Sequence, residues 1–459
     1  MRIVFFILLT VISVSMFGHK KYKANWKSID TRPVPEWFVD AKFGVFVHWG
    51  LYSVPSWGPT DGKVYDGYSE WYWMRLTEPD SVTGRKFIDF HEKTYGKDFR
   101  YQDFASQFKA ELFNPAQWAE VIEQSGAKYV VLTSKHHDGF TLWPSKHAWN
   151  WNSVDVGPHR DLAGELTDAV RKKGLRMGFY YSLYEWFNPL YIEDVDKYVD
   201  QHMLPQMKDL VERYKPEIFW PDGEWGHPSK TWRSPEFLAW LYNESPVKAT
   251  VVVNDRWGEE TRSKHGDFYT TEYDLIHHDK VGDLVIQHPW EETRGIGGSF
   301  GYNRNEQLEN YESSEFLIHY LINKVARGGN LLLNIGPTAD GRIPVIQQKI
   351  LRDMGDWLAI NGDAIYGTRA WDHAPAISSQ TTQYYTTKGS DLYLIVTQWT
   401  DKPIYIGLSG QVNEVQMLGF EGEIDYQLSG AGVTINPPVL SYLNSPSSVA
   451  WVYKISGAL

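Results

Sequence analysis

The stretch EIFWPDGEW (217–225) sets Asp222 and Glu224 between two tryptophans at the end of an apolar run. A carboxylate in such surroundings is paired, hydrogen-bonded or used. Other groups capable of chemistry stand in similar places. His48 follows the apolar run FGVFV, SEWYW carries Glu70 and Trp71, and SKHHDGF carries His136 and His137. Tyr180 and Tyr181 end a further run, Arg256 follows VVVND, TTEY holds Glu272, PWEETRG holds Glu291 and Glu292, and Asn334 lies near the end of NLLLNIG. Acids, imidazoles and aromatics without a cofactor fingerprint suit hydrolysis of a glycosidic bond. That reaction needs two carboxyl groups flanking the bond, one ionised and one protonated. Imidazoles and a guanidinium can bond sugar hydroxyls, and aromatic rings can cover an apolar sugar face. Singly, a histidine or arginine at a strand end is more often a structural hydrogen-bonder; convergence favours the chemical reading. Glu185 and Glu217 read as surface or supporting groups, and Glu224 could be a solvated loop acid. A paired HH could suggest a metal, but neighbours on a strand face opposite ways, which leaves a His/carboxylate metal site as the minority reading.

The elements that must position these groups are near-continuous apolar runs, as parallel strands covered on both faces require. Eight candidates are FGVFVHWG (43–50), AKYVVLTS (127–134), GLRMGFYYS (174–182), EIFWPDG (217–223), ATVVVND (249–255), GDFYTTEY (266–273), DLVIQHPW (283–290) and GNLLLNIG (329–336). Helical patterns separate several of them. FNPAQWAEVIEQSG begins with Asn114 as N-cap, Pro115 at the first helical position and Gln117 placed for a capping box. DLAGELTDAVRKKG has acids early and cations late, as the helix dipole favours. Strand and helix in eightfold alternation predict an α/β fold, a (β/α)8-like TIM barrel over residues 21–366. Its active groups belong at the C-terminal ends of the strands. Little helix fits between the sixth and seventh strands. An open doubly wound sheet is the alternative, but no glycine-rich phosphate loop follows the first strand. Beyond residue 366 the pattern alternates between turn residues, which predicts a small C-terminal antiparallel β-sandwich over 367–459.

Composition narrows the partners. The chain has 459 residues, a net charge of −12, no cysteine and 21 tryptophans. The acidic balance without a basic run argues against nucleic acid. The missing cysteines exclude disulfides and thiolate chemistry. Residues 1–20 read as a signal peptide, predicting an exported protein, periplasmic or secreted, with no further membrane segment.

Taken together, AKFGVFVHWG, SEWYW, AKYVVLTSKHHDGFTLWPS, GFYYSLYEW, FWPDGEW, VNDRWG, TRGIGGSFGYNRNE and GGNLLLNIGPTADGRI resemble the retaining α-L-fucosidase family of glycoside hydrolases, in order, over about residues 35–367. The resemblance implies a barrel plus a β-sandwich, no metal, no cofactor, and exo-acting removal of terminal α-L-fucose from fucosylated oligosaccharides or glycoconjugates with net retention. It implies Asp222 as nucleophile and Glu272 as acid/base, with Glu291 the runner-up. It implies substrate contacts from His48, Glu70, Trp71, His136, His137, Tyr180, Trp220, Arg256 and Phe300. A non-catalytic fucose-binding relative, or a barrel glycosidase for another galacto-configured or deoxy sugar, are the alternatives.

Overall fold

The structure, a computed structural model, describes residues 21–274, 288–408 and 410–459. The leader-like residues 1–20 lie outside the described residues. Eight strands run parallel: β1 Phe43–Val47, β2 Tyr129–Lys135, β3 Arg176–Ser182, β4 Ile218–Asp222, β5 Val252–Val253, β6 Tyr269–Glu272, β7 Trp290–Gly295 and β8 Asn330–Ile335. Their hydrogen-bonded order is β5-β4-β3-β2-β1-β8-β7-β6. The sheet therefore curls into a TIM-like barrel around β1, which pairs β2 on one side and β8 on the other.

Alternation sorts the side chains. Phe46, Tyr129, Val131, Tyr180, Ile218, Trp220, Val252 and Leu332 fill the inside of the curl, with Phe38 and Phe268 packed among them. The intervening residues, such as Val45, Val47, Val130 and Leu132, join the larger core under the helices. Both faces are thus dry, which is why the strands read as unbroken apolar runs. The helix Pro115–Gln124 starts as its sequence predicts: Asn114 accepts the backbone N–H of Gln117, and Pro115 opens the first turn. The helix Leu162–Lys172 is likewise capped by Asp161.

Two features depart from the sequence reading. The seventh strand is WEETRG, not DLVIQHPW, of which residues 283–287 lie outside the described residues. Glu291 and Glu292 are consequently inside the strand rather than beyond its end. The hydrogen-bonded ladder also stops between β5 and β6. There, two backbone bonds from Asp267 and Phe268 to the Val253 carbonyl remain, and side chains supply the rest. Asp267 accepts the Val253 N–H at 2.9 Å, and Asp255 accepts the Thr270 N–H at 3.2 Å and its hydroxyl at 2.7 Å. Arg32 anchors Asp267 from the N-terminal segment at 3.0 Å.

The C-terminal region is antiparallel. One sheet has the order β13 (Glu414–Met417), β16 (Trp451–Ser456), β11 (Asp391–Val396), β10 (Gln383–Lys388), β9 (Arg369–Ala370). The other has β12 (Ile404–Gly407), β15 (Gly432–Asn436), β14 (Asp425–Ser429). Leu394, Val415 and Ile455 of the first sheet share a core with Ile406, Val433 and Ile435 of the second. The first sheet's opposite face, through Tyr393, Ile395 and Val452, packs into the barrel's helical layer.

Candidate active site

β4 delivers Asp222 in register with Ser182 of β3, at the C-terminal end of the sheet. The chain then turns sharply. Gly223 has φ +76°, and a Cβ there would stand 2.4 Å from the Tyr184 ring, so the turn needs glycine. Asp222 faces a cavity of about 270 Å3 whose lining includes His48, Glu70, Trp71, His136, His137, Tyr180, Trp220, Arg256, Glu272 and Phe300. All the site residues anticipated from sequence except Glu291 therefore meet in one place.

Arg256 organises the acids. Its Nη1 donates to Asp222 Oδ1 at 2.7 Å and its Nη2 to Glu272 Oε2 at 3.3 Å. Its Nε donates to Thr270 Oγ1 at 3.1 Å, and its guanidinium lies 4.6 Å above the Trp220 ring. Tyr180 completes Asp222 with a hydroxyl bond of 2.8 Å to Oδ2, and Tyr68 completes Glu272 with one of 2.9 Å to Oε1. Burial alone would raise the Asp222 pKa. The Arg256 charge and the two donated bonds outweigh it and hold this carboxyl below its ordinary value.

The histidines are neutral acceptors. Asn334 donates its Nδ2 to the Phe300 carbonyl, so its Oδ1 accepts from His48 Nδ1 at 2.7 Å. Ser182 donates its hydroxyl to the Tyr184 carbonyl, so His137 Nδ1 donates to Ser182 Oγ at 2.6 Å. Each ring keeps Nε2 as an acceptor. Burial lowers the pKa of His48 to about 3 and that of His137 to about 4. His136 and His137 both line the cavity, against the alternation expected of strand neighbours. The strand ends at Lys135 after a register shift beyond Thr133, so the rule does not reach them. Among the described residues no group of three or more His, Cys, Asp or Glu is placed to hold a metal.

Glu70 accepts the Gly301 N–H at 2.9 Å and the Ser299 hydroxyl at 3.2 Å. Burial pushes its pKa up to about 7 despite those bonds. Phe300, on the same loop, stacks on His48 at 4.9 Å. Glu224 is not a solvated loop acid: it is buried and paired with Arg262 at 3.2 Å. Glu185 is also buried, bonded by Lys135 at 2.8 Å and His202 at 2.7 Å beneath the HHDGF turn. Tyr65, Tyr68, Arg75, Trp225 and Arg262 line the cavity without having been singled out. The doubled tryptophan of FWPDGEW was the signal for Trp225; the loop tyrosines had none.

Glu291 lies away from the cavity lining. It is 0% exposed, taking bonds from Tyr129 Oη at 2.5 Å and Trp220 Nε1 at 3.0 Å. It therefore braces the Trp220 ring from behind. Burial pushes its pKa from 4.5 to about 7, against the bonds from Tyr129 and Trp220. A raised carboxyl contributes stability that is full below its ordinary pKa and is lost as pH rises through the folded value. This shift corresponds to roughly 3 kcal/mol between about pH 4.5 and pH 7. Glu291→Gln cannot titrate and keeps an acceptor for Trp220. Its unfolding free energy, read from urea melts across that window, should lack this decline; parallel wild-type and variant slopes would rule the account out.

A TIM-like curl with two buried carboxylates on one guanidinium, walled by aromatics and neutral imidazoles, defines a glycoside hydrolase. The sequence matches the family described as Alpha-L-fucosidase over residues 9–363. It is 44% identical to an alpha-L-fucosidase of Branchiostoma floridae over 99% of this chain and 100% of that one. It is 42% identical to tissue alpha-L-fucosidase of Homo sapiens over 95% of this chain and 92% of that one. Among solved structures, Thermotoga maritima alpha-fucosidase in complex with fucose superposes with a TM-score of 0.79 at 37% identity, covering 95% of this chain and 100% of that one. The chain belongs to the alpha-L-fucosidase family of glycoside hydrolases.

Proposed function

We propose that the chain is an exo-acting, retaining α-L-fucosidase that releases terminal α-L-fucose from fucosylated glycans by double displacement. The observation that carries this reading is the bridge from Asp222 through Arg256 to Glu272 on the wall of one small cavity. Asp222 is held ionised, as a nucleophile must be. It attacks the anomeric carbon and forms a C–O bond while the bond to the leaving oxygen breaks. Glu272 gives that oxygen its proton. Water then attacks the fucosyl-Asp222 ester, losing a proton to Glu272, and fucose leaves with its original configuration. The fucosyl ring is read by hydroxyl bonds to His48, His136, His137 and Glu70. His136 Nδ1 is buried without a hydrogen-bond partner among the described residues, which fits a group completed by substrate. Phe300 and Trp220 cover apolar parts of the ring, the C5 methyl among them.

Solved relatives support the substrate class. The Thermotoga maritima enzyme has been seen with fucose and with a mechanism-based inhibitor. A Thermotoga maritima alpha-L-fucosynthase has been seen with alpha-L-Fuc-(1-2)-beta-L-Fuc-N3.

The acid/base is tested by leaving group. Glu272→Ala should lose about 100-fold or more on substrates whose leaving alcohol is a poor one, and far less on activated aryl fucosides. Glu291→Ala should lower both alike, because Glu291 meets the cavity only through Trp220. The reversed pattern would assign the proton to Glu291 instead.

A further inference from the structure

The cavity has more wall than one fucosyl ring and two carboxylates use. Tyr65 lines it from the short turn Val64–Gly67, on the Glu272 side. Its ring stands edge-on to Tyr68, the residue that bonds Glu272, at 5.4 Å. Its hydroxyl is buried and has no hydrogen-bond partner among the described residues. Burial, and then the nearby charge of Glu272, pushes that hydroxyl's pKa up to about 12, so it stays a donor. A buried hydroxyl without a partner, on a residue that lines the cavity close to Glu272, calls for an explanation.

Trp225 stands on the Asp222 side and is 45% exposed, a large apolar surface to leave in water. Its position is fixed all the same. The Gly223 turn sets the backbone, Trp232 Nε1 donates to the neighbouring Glu224 carbonyl at 3.0 Å, and the ring lies edge-on to His137 at 5.6 Å. It also stacks towards Trp71, with centroids 6.3 Å apart and planes 19° apart. Arg75 ties the two lips together: it donates to the Tyr65 carbonyl at 3.2 Å and lies 5.7 Å from the Trp71 ring centre. The mouth is therefore rimmed by a preorganised wall, with an unmatched hydroxyl on one lip and an open indole on the other.

We infer that Tyr65 and Trp225 form a second subsite, for the leaving-group sugar: Tyr65 bonds one of its hydroxyls, and Trp225 stacks on its apolar face. Preorganisation is what makes such a subsite effective, since neither side chain must be ordered on binding. The inference rests on the fucosidase reading of Asp222 and Glu272. It predicts discrimination by leaving group while the fucosyl contacts stay as they are.

Three substrates separate the contributions. α-L-Fucosyl fluoride has no leaving ring, 4-nitrophenyl α-L-fucoside has a ring without hydroxyls, and an α-L-fucosyl-(1,2)-galactose has both. Tyr65→Phe should lower kcat/KM about tenfold on the disaccharide and leave the other two within twofold of wild type. Trp225→Ala should lower it about tenfold on both ring-bearing substrates and spare the fluoride, and Trp225→Phe should recover most of the loss. Equal losses on all three substrates, or no loss on any, overturn the inference. Tyr65→Phe removes one oxygen, and the fluoride rate shows that each variant is folded. Failure of the reading beneath it looks different: an Asp222→Ala enzyme that still hydrolyses the fluoride.

Discussion

Replacing Asp222 with alanine should cut turnover of an aryl α-L-fucoside by about 10,000-fold or more, because the proposed double displacement assigns formation of the covalent intermediate to this carboxylate alone. The chain should stay folded. Arg256 keeps Glu272 and Thr270 as partners, and Tyr180, which loses its Asp222 bond, lines the same cavity. The stronger test is chemical rescue. Azide can occupy the space of the lost carboxylate and attack the anomeric carbon of an activated α-fucoside while the aryl oxide leaves. Its product should be the β-fucosyl azide, since one displacement inverts. Near wild-type turnover, or an α-azide, would remove Asp222 from the mechanism.

The sequence made Asp222 readable for a physical reason. A strand buried on both faces is almost pure apolar residues, so a carboxylate at its end stands out, and Gly223 marks the turn. The same contrast located His48, Tyr180 and Asn334. It failed for β7. There the apolar stretch DLVIQHPW attracted the assignment, while the strand itself is WEETRG. Its charges are tolerated because distant residues satisfy each one. Tyr129 and Trp220 bond Glu291, Thr271 and Tyr320 bond Glu292, and Glu312 pairs with Arg294. No hydropathy pattern carries partners separated by so much chain. Tyr65 and Tyr68 escaped for a related reason, lying in an aperiodic loop where a tyrosine has no neighbour to contrast with. In the C-terminal region alternation marks the antiparallel sandwich as a whole but is too short to define β9 or β15. β9 has two residues and β15 opens on glycine, too little pattern to register.

The second large effect is expected at Arg256. Arg256→Leu leaves Asp222 and Glu272 buried together without their shared cation, and Glu224 adds a third negative charge nearby. Breaking a buried pair in this way costs about 3–5 kcal/mol. The loss should depend on pH, with a definite sign. In the wild type the depressed pKa of Asp222 contributes stability that is present above its ordinary value and lost as pH falls through the folded one. Without the guanidinium, burial raises that pKa, so the variant gains stability on acidification as its carboxyls protonate. The gap in unfolding free energy should be widest near neutrality and narrow below about pH 5. Arg256→Lys restores a charge but cannot fork between two acids. It should recover part of the stability and little activity. Urea melts at neutral and acid pH read both results. A leucine variant as stable as wild type at neutral pH would show that Arg256 is not what allows the two acids to share the site.

The gap in the ladder between β5 and β6 bears on how the two acids are coupled. Asp222 stands on β4, with a paired neighbour on either side, whereas Glu272 ends a four-residue strand bound by backbone bonds to β7 alone. One acid stands on a strand paired on both sides and the other on the last strand of the ladder, trimmed by Asp255 and Arg256 as by two adjusting screws. A substitution near that last strand is therefore expected to shift Glu272 more than Asp222. The fold thus gives the two carboxylates unequal backbone support.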